Sequence, residues 1–244
     1  MPEGPSIVIL KEAIKSFEGK KVIAVDGNTK IGKEQFLNKK VIAFKSWGKH
    51  FLICFKGVSL RIHFLLFGSY SINERKEGRT PRLSLAFKNG ELNLYACGVR
   101  IIEEDLDKIY DWAADVMSEA WDEKKAIKKL KALPTMMVCD ALLEQDIFSG
   151  VGNIIKNEVL YRIKVHPEAL VGHLPAARLK LLVAEARIYS FDFYEWKKQF
   201  VLRKHWKAHA KKVCERCDVA LIKKVTGKKK RRSFFCENCQ KLYA

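Results

Sequence analysis

The central motif of the sequence is a predicted turn into a helix, Phe148-Ser149-Gly150-Val151-Gly152-Asn153-Ile154-Ile155. Two glycines permit a tight turn into a helix, whose first backbone N–H groups can then face an anion. The asparagine at the start of that helix can donate to a phosphate oxygen. Most Gly-x-Gly turns are simple connections, so the motif alone is weak. Its place between helical residues 141–147 and 156–163 makes it a candidate phosphate site.

Length and charge point to a folded protein with a polyanionic partner. At 244 residues and 48% hydrophobic content, the chain can bury at least one core, and two domains are plausible. The net charge of +18 far exceeds what solubility requires. Residues 201–244 hold 14 Lys and Arg against three acids, which gives +11 by difference. We therefore expect a polyanionic partner.

The cysteines fall into two groups. Four form two Cys-x-x-Cys pairs separated by 18 residues: Cys214, Cys217, Cys236 and Cys239. In a cytosolic chain this spacing predicts one structural Zn²⁺, because four thiolates close a tetrahedral shell and exclude a catalytic water. The other three, Cys54, Cys97 and Cys139, stand among apolar neighbours and are expected to be buried and inert.

Periodicity predicts an α+β protein. Apolar residues at helical spacing cover residues 3–17, and short β-rich runs with an Asn89-Gly90 hairpin signal fill residues 21–102. Many short strands in succession suggest an antiparallel sandwich or barrel. Helical periodicity covers most of residues 105–133, and it resumes from Met136 to about Lys212.

These patterns predict four segments. The N-terminal helix and β-sandwich form a domain over residues 1–104, and a connecting helical segment covers 105–135. A second helical domain follows at 136–212, and the four-cysteine hairpin occupies 213–244. No apolar run is long enough to cross a membrane, and no signal pattern opens the chain, so we expect a cytoplasmic protein.

The first residues, Met1-Pro2-Glu3, contain a candidate nucleophile and a candidate acid–base group. Removal of Met1 would leave Pro2 with a free secondary amine, and α-amino groups titrate near neutral pH, at about 8. Such an amine can attack an aldehyde carbon to give an iminium, with Glu3 beside it as an acid–base group. The alternative is an ordinary helix start, where proline and acidic residues are favoured.

Four features together resemble the bacterial formamidopyrimidine-DNA glycosylase/endonuclease VIII family. They are the Pro2-Glu3-Gly4-Pro5 start, the Gly48-Lys49 turn, the Gly-Val-Gly-Asn turn and the four-cysteine hairpin, in that family's order. The resemblance implies an N-terminal β-sandwich, a helix–two-turn–helix module and a zinc finger, with DNA bound between domains. It also implies base excision followed by strand cleavage at the abasic site.

The resemblance also implies roles for individual residues. Pro2 would be the nucleophile and Glu3 the general acid–base group, while Lys49 would contact a phosphate near the lesion. Asn153 would belong to the phosphate clamp of the helix–two-turn–helix module, and Arg231 would be the zinc-finger arginine. For Lys49, a solvated turn lysine is the alternative.

The same resemblance implies roles for further residues. Arg232 could substitute for Arg231 if the hairpin register slips, although the run 228–232 could act only as non-specific positive charge. Leu65, Leu66 and Phe67 lie where family members insert side chains into the duplex, and their apolar character suits a wedge. Alternatively, they continue the core strand that includes Leu60.

Two observations favour the endonuclease VIII branch, which resembles an oxidised-pyrimidine specialist. Residues 94–103 lack the Asp-Pro-Arg-Arg-Phe loop of the 8-oxoguanine branch, and only 46 residues separate Pro167 from Cys214. Ser6 is a departure, because many family members have glutamate there. Glu158 matches a second buried family glutamate and could partly compensate, with a helix-surface carboxylate as the alternative.

The leading hypothesis is a bifunctional DNA glycosylase and abasic-site lyase in base excision repair, acting by β,δ-elimination. Its partner would be double-stranded DNA with oxidised bases or abasic sites, and the protein would be a nucleoid-associated monomer. One alternative is a non-catalytic or altered-specificity member of the same fold that binds damaged DNA. Another is a zinc-ribbon protein that binds nucleic acid without lesion preference.

Overall fold

The computed structural model describes residues 2–243. Met1, whose removal the proline chemistry requires, lies outside the described residues. The chain divides into two compact units, one ending at Tyr110 and one beginning at Asp111. The predicted limits of the four segments remain predictions.

The first unit begins with helix α1 (Gly4–Ala13), which is shorter than the predicted 3–17. Its buried face presents Ile7 and Leu10 to the core. At Ile14 the backbone leaves the helical region, and a 3-10 turn covers Lys15–Phe17. The turn lets the ring of Phe17 stack on Phe87 at 4.6 Å, so core packing ends the helix early.

All strands of the first unit belong to one antiparallel sheet in the order β1-β5-β6-β4-β3-β2. The strands are β1 (Ala24–Asp26), β2 (Ala43–Trp47), β3 (His50–Phe55), β4 (Val58–Ile72), β5 (Leu83–Phe87) and β6 (Gly90–Ile102). A short helix, α2 (Leu106–Ile109), follows. The predicted Asn89-Gly90 hairpin is present, because Phe87 pairs with Gly90.

The sheet folds into two halves around one core. Residues 58–63 of β4 pair with β3, and residues 59–64 pair with 97–102 of β6, whereas residues 69–72 pair with 92–95 of β6. Side chains from both halves, such as Ile62 and Leu85, pack in a single buried cluster. Two layers that share β4 and β6 thus form the predicted sandwich.

A wide bulge separates the two halves of β4. Phe64 pairs with Cys97 and Ser69 pairs with Tyr95, so residues 65–68 all oppose Ala96. Ala96 adopts a left-handed conformation with φ 47°. The side chains in the bulge are exposed, at 54% for Leu65, 59% for Leu66 and 80% for Phe67. The strand that includes Leu60 therefore continues through these three residues, as the alternative expected, but their side chains leave the core after buried Phe64. The wedge role remains a prediction.

Helices build most of the second unit. They are α3 (Glu123–Lys131), α4 (Val138–Ala141), α5 (Asn153–Arg162) and α6 (Ala176–Lys198). Helix α5 is buried on all sides from Ile155 to Tyr161, and apolar residues of α4 and α6 pack around it. Within residues 2–243, no helix has both the length and the apolar composition that crossing a bilayer requires.

A two-stranded hairpin completes the second unit. Strands β7 (Ile222–Thr226) and β8 (Arg231–Phe235) pair antiparallel, and Gly227 begins the connecting turn with φ 70°. The carboxylate of Asp140 in α4 accepts the backbone N–H groups of Lys228 at 2.7 Å and Lys229 at 3.1 Å. The predicted α+β class, with a sandwich, a helical region and a C-terminal hairpin, is confirmed.

We predict that Gly68→Ala destabilises the first unit by about 1–3 kcal/mol, the usual cost of overpacking. A Cβ at Gly68 would lie 2.7 Å from the Cβ of Phe64 and 2.9 Å from the carbonyl oxygen of Ala96. Denaturant unfolding followed by circular dichroism measures the change. Gly98→Ala in β6 is the matched control, because its Cβ would meet only an ordinary 3.8 Å contact. Equal midpoints for the two variants would contradict the prediction.

Candidate active site and nucleic-acid interface

The N-terminal candidates lie at the start of α1. Glu3 is the N-cap residue with extended backbone, its side chain is buried, and its carbonyl oxygen accepts the N–H of Ser6 at 2.8 Å. Pro2 is partly exposed, whereas Ser6 is buried one turn into the helix. Helix α1 packs against β2 and β3, the two strands that carry Lys49 between them. Pro2, Glu3, Ser6 and Lys49 therefore belong to one unit.

Lys49 occupies a two-residue hairpin turn. Trp47 pairs with His50 across the turn, and Gly48 supplies the left-handed conformation that it requires, with φ 52°. The ring of His50 meets that of His63 at 5.5 Å, because the two residues pair across β3 and β4. Lys49 therefore emerges beside a histidine pair.

Both histidines of this pair have pKa values below the usual 6.5. Burial, followed by electrostatic repulsion from Arg61, from a protonated His63 and from Lys49, lowers the pKa of His50 to about 4, so this ring is neutral at physiological pH. Burial also lowers the pKa of His63. Sequence analysis missed both residues, although the Gly48-Lys49 turn could have revealed that they share one face. The positive charge at this turn thus comes from Lys49 and Arg61.

A second group of candidates surrounds a cavity of about 430 Å³ in the second unit. Helix α5, the segment 209–210 and the hairpin line it, and no lining residue is acidic. The lining residues are Asn153, His209, Ala210, Val225, Lys230, Arg231, Arg232 and Phe234. The fold thus brings Asn153 together with Arg231 and Arg232, which lie 78 and 79 positions further along the chain.

Asn153 lies at the positive end of a helix dipole. It is the first residue of α5, after Gly150 with φ 99° and the extended N-cap Gly152. Its Oδ1 is buried and has no hydrogen-bond partner among the described residues. The N-terminus of a ten-residue helix favours negative charge, so this end of the cavity suits an anion.

His209 is a cavity residue that sequence analysis missed. The N–H of Phe234 donates to Oδ1 of Asn157, which fixes the Asn157 amide so that Nδ2 faces Nδ1 of His209 at 3.1 Å. Nδ1 therefore accepts, and the neutral ring carries its proton on Nε2. Burial, with the charge of Lys156, lowers the pKa of His209 to about 4. No sequence motif marks this residue.

Glu158 holds the segment that carries His209. Its carboxylate is fully buried and accepts three backbone N–H groups, from Lys207 and Ala208 at 2.9 Å and from His209 at 2.6 Å. Burial raises its pKa, although these three hydrogen bonds oppose the shift. The alternative of a helix-surface carboxylate is wrong, and compensation for Ser6 remains a prediction.

The four predicted thiols lie together at the base of the hairpin. All Sγ atoms of Cys214, Cys217, Cys236 and Cys239 lie within 4.8 Å of one another. A tetrahedral Zn²⁺ with bonds of about 2.3 Å places its sulfurs about 3.8 Å apart. The Sγ atoms of Cys214 and Cys239 are separated by 3.8 Å, so the donor set fits a closed tetrahedral metal site.

Comparison with family models identifies the helical part of the second unit. Residues 112–188 match the formamidopyrimidine-DNA glycosylase H2TH domain. The match includes α3 to α5 and the first half of α6. The match begins and ends 24 residues before the limits predicted for the second helical domain, 136–212. The turn at Gly150-Val151-Gly152-Asn153 lies inside it.

Sequence relatives are endonuclease 8-like proteins. Endonuclease 8-like 3 of Mus musculus is 31% identical over 202 residues, which cover 80% of this chain and 33% of that protein. Endonuclease 8-like 2 of Homo sapiens is 32% identical over 197 residues, which cover 74% of this chain and 57% of that protein. The chain thus spans only a third to somewhat over half of these relatives.

Solved structures share the fold over nearly the whole chain. A viral DNA glycosylase matches with a TM-score of 0.86 at 18% identity, covering 98% of this chain and 100% of its own. Formamidopyrimidine-DNA glycosylase of Lactococcus lactis, bound to DNA containing an AP site, matches with 0.84 at 22% identity, covering 98% and 99%. At these identities, the likeness concerns the fold alone.

Sequence likeness and fold likeness agree on one family. The H2TH match lies in the second unit, and the endonuclease 8-like relatives extend over most of the chain. The predicted preference for the endonuclease VIII branch is confirmed, whereas a bacterial origin remains a prediction. The chain belongs to the formamidopyrimidine-DNA glycosylase/endonuclease VIII family, on its endonuclease VIII-like branch.

Proposed function

We propose that the protein is a DNA glycosylase with abasic-site lyase activity that excises oxidised bases, pyrimidines in particular, from double-stranded DNA. The observation that carries the proposal is the acid-free cavity around Asn153, His209 and Arg231. The names of its relatives and fold neighbours, which are endonucleases and DNA glycosylases, support the same function.

In the proposed complex, the second unit binds the DNA backbone. The guanidinium of Arg231 and the N-terminus of α5 attract a phosphate, and the Asn153 amide and the His209 Nε2–H donate hydrogen bonds to it. Such contacts fix the position of the duplex without reading its sequence. The apolar bulge at Leu65–Phe67 is proposed to fill the gap that an extruded nucleotide leaves.

The proposed chemistry begins at Pro2 after loss of Met1. Its secondary amine attacks C1′ of the extruded sugar, the bond from C1′ to the base breaks, and the base leaves with a proton. The sugar ring then opens, and the amine and C1′ form a cationic iminium. Glu3, at the start of α1, is proposed to move the protons at these steps.

The iminium draws electrons and acidifies the C2′ proton. Its removal breaks the bond from C3′ to oxygen and releases the 3′ phosphodiester, and a second elimination releases the 5′ phosphate. Water then hydrolyses the iminium and regenerates the amine. Lys49 is proposed to hold a phosphate near the sugar during these steps.

The four thiolates are proposed to hold one structural Zn²⁺, which would keep the hairpin folded so that Arg231 faces the cavity. Monomeric state and cytoplasmic location remain predictions.

A second candidate function is damaged-DNA binding without catalysis. Ser6 favours it, because a hydroxyl stands on α1 where a carboxylate is common in the family. Binding that survives Pro2→Gly, together with no strand cleavage by the unsubstituted protein, would favour this candidate.

We predict that borohydride traps a covalent complex between the Met1-processed protein and abasic-site DNA, because it reduces the iminium to a stable amine. Pro2→Gly should lower the trapped yield. Glu3→Gln should slow base excision by on the order of a hundredfold or more, as expected for loss of an acid–base group. Gel shift of the denatured complex measures trapping, and mass spectrometry verifies the N-terminus. Absence of trapping on several lesions would refute the lyase proposal.

We predict that His209→Ala weakens binding to an abasic-analogue duplex by roughly 3- to 10-fold, the value of one hydrogen bond. The ratio should be equal at pH 6 and pH 8, since a ring with a pKa of about 4 is neutral at both. Fluorescence anisotropy measures the affinity. A ratio that grows at pH 6 would mean that a charged imidazolium binds instead.

The same pKa predicts how folding stability depends on pH. The folded-state pKa of about 4 lies below the usual 6.5, so the unfolded state binds more protons between these values. The contribution of His209 is therefore complete above pH 6.5 and declines as the pH falls towards 4. His209→Ala should remove this part of the pH dependence, as measured by denaturant unfolding at pH 5 and 7.

We predict that Cys236→Ser abolishes metal binding and weakens DNA binding at least about tenfold, because loss of a thiolate opens the tetrahedral site. The first unit should remain folded. Cys54→Ser, a buried thiol of β3 outside the cluster, is the control and should keep one metal per chain. Metal analysis and anisotropy measure the two effects, and full DNA affinity after chelation would exclude the assigned role.

A further inference from the structure

Lys156 is a fully buried lysine in the second turn of α5. Its Nζ donates to the carbonyl oxygen of Arg232 at 3.2 Å and to Oγ of Ser233 at 2.9 Å. Oγ of Ser233 also bonds the hydroxyl of Thr226 at 2.6 Å, on the paired strand β7. Burial of an ammonium is costly unless hydrogen bonds compensate, so this group ties both strands of the hairpin to α5.

Asn157 makes the neighbouring attachment. Its Nδ2 lies 3.4 Å from the carbonyl oxygen of Arg232, and its Oδ1 accepts the N–H of Phe234 at 3.3 Å. The same Nδ2 lies 3.1 Å from Nδ1 of His209. One amide therefore contacts both the strand that begins with Arg231 and the segment that carries His209.

Helical spacing aligns these contacts with Asn153. Residues 153, 156 and 157 are related as i, i+3 and i+4, so they share one face of α5. The first turn of that face presents Asn153 to the cavity, and the next turn binds β8. The distance between Asn153 and Arg231 is thus set through α5 itself, besides the thiol cluster at the base of the hairpin.

We propose that Lys156 and Asn157 are positioning residues that fix Arg231 and His209 relative to Asn153, so that the three groups bind the DNA backbone as one preformed unit. This inference rests on the proposed function, because it assumes that the cavity binds phosphate. Preformed spacing lowers the entropy cost of binding and restricts the site to one backbone geometry.

A double-mutant cycle tests the inference. In the unsubstituted protein, Arg231→Ala should weaken binding to an abasic-analogue duplex about tenfold and reduce the salt slope by about one. In the Lys156→Met or Asn157→Asp background, the same substitution should cost less than about threefold, because Arg231 is already misplaced. Metal content should stay at one per chain in both backgrounds.

Ser190→Ala is the matched control. Its hydroxyl is buried in α6 of the same unit and donates to the carbonyl oxygen of Ala186 at 2.7 Å. In this background Arg231→Ala should keep its full tenfold effect. If Lys156→Met fails to fold, Asn157→Asp and Ser233→Ala carry the test, since each removes only part of the attachment.

Hydrogen exchange provides a measurement without DNA. Protection of the Phe234 amide should fall in Asn157→Ala and remain in Ser190→Ala. An additive cycle or unchanged protection would overturn the positioning role while leaving the proposed function intact. If the unsubstituted protein does not bind the duplex but Phe234 protection still falls, the attachment exists and the proposed function fails.

Discussion

The burial of α5 is the constraint on which the second unit depends. A helix surrounded by protein from Ile155 to Tyr161 cannot leave Lys156, Asn157 and Glu158 without partners. Those partners come from backbone and side-chain groups of residues 207–209 and 232–234. The position of the hairpin and of His209 therefore follows from the need to satisfy three consecutive polar side chains.

In the first unit, the main constraint is strand pairing between two layers. Two long strands, β4 and β6, must serve both layers of a sandwich, so the pairing breaks where the layers meet. Ala96 in the left-handed region and the close packing of Gly68 against Phe64 absorb the change in register. The side chains of residues 65–67, which lie in the bulge, are exposed because this part of β4 does not face the core.

Local patterns predicted much of the fold, because they depend on spacing. The Cys-x-x-Cys pairs, the Asn89-Gly90 hairpin and the Gly150-Val151-Gly152-Asn153 turn each specify backbone geometry within a few residues. Contacts made across long separations were missed. His209 becomes a cavity residue only because Asn157 and Glu158, about 50 positions away, orient it. Similarly, Glu158 could not be distinguished from a surface carboxylate until its three amide donors were known.

The polar partners of α5 have a consequence for the order of synthesis. The chain completes α5 about 45 residues before the amides of 207–209 exist, and about 70 before β8 does. Residues Lys241 and Tyr243 also accept the N–H groups of His166 and Leu170. On the ribosome, the first unit can fold early, whereas the second must wait for residues 207–243. The polar groups of Lys156, Asn157 and Glu158 are exposed to water in the interval.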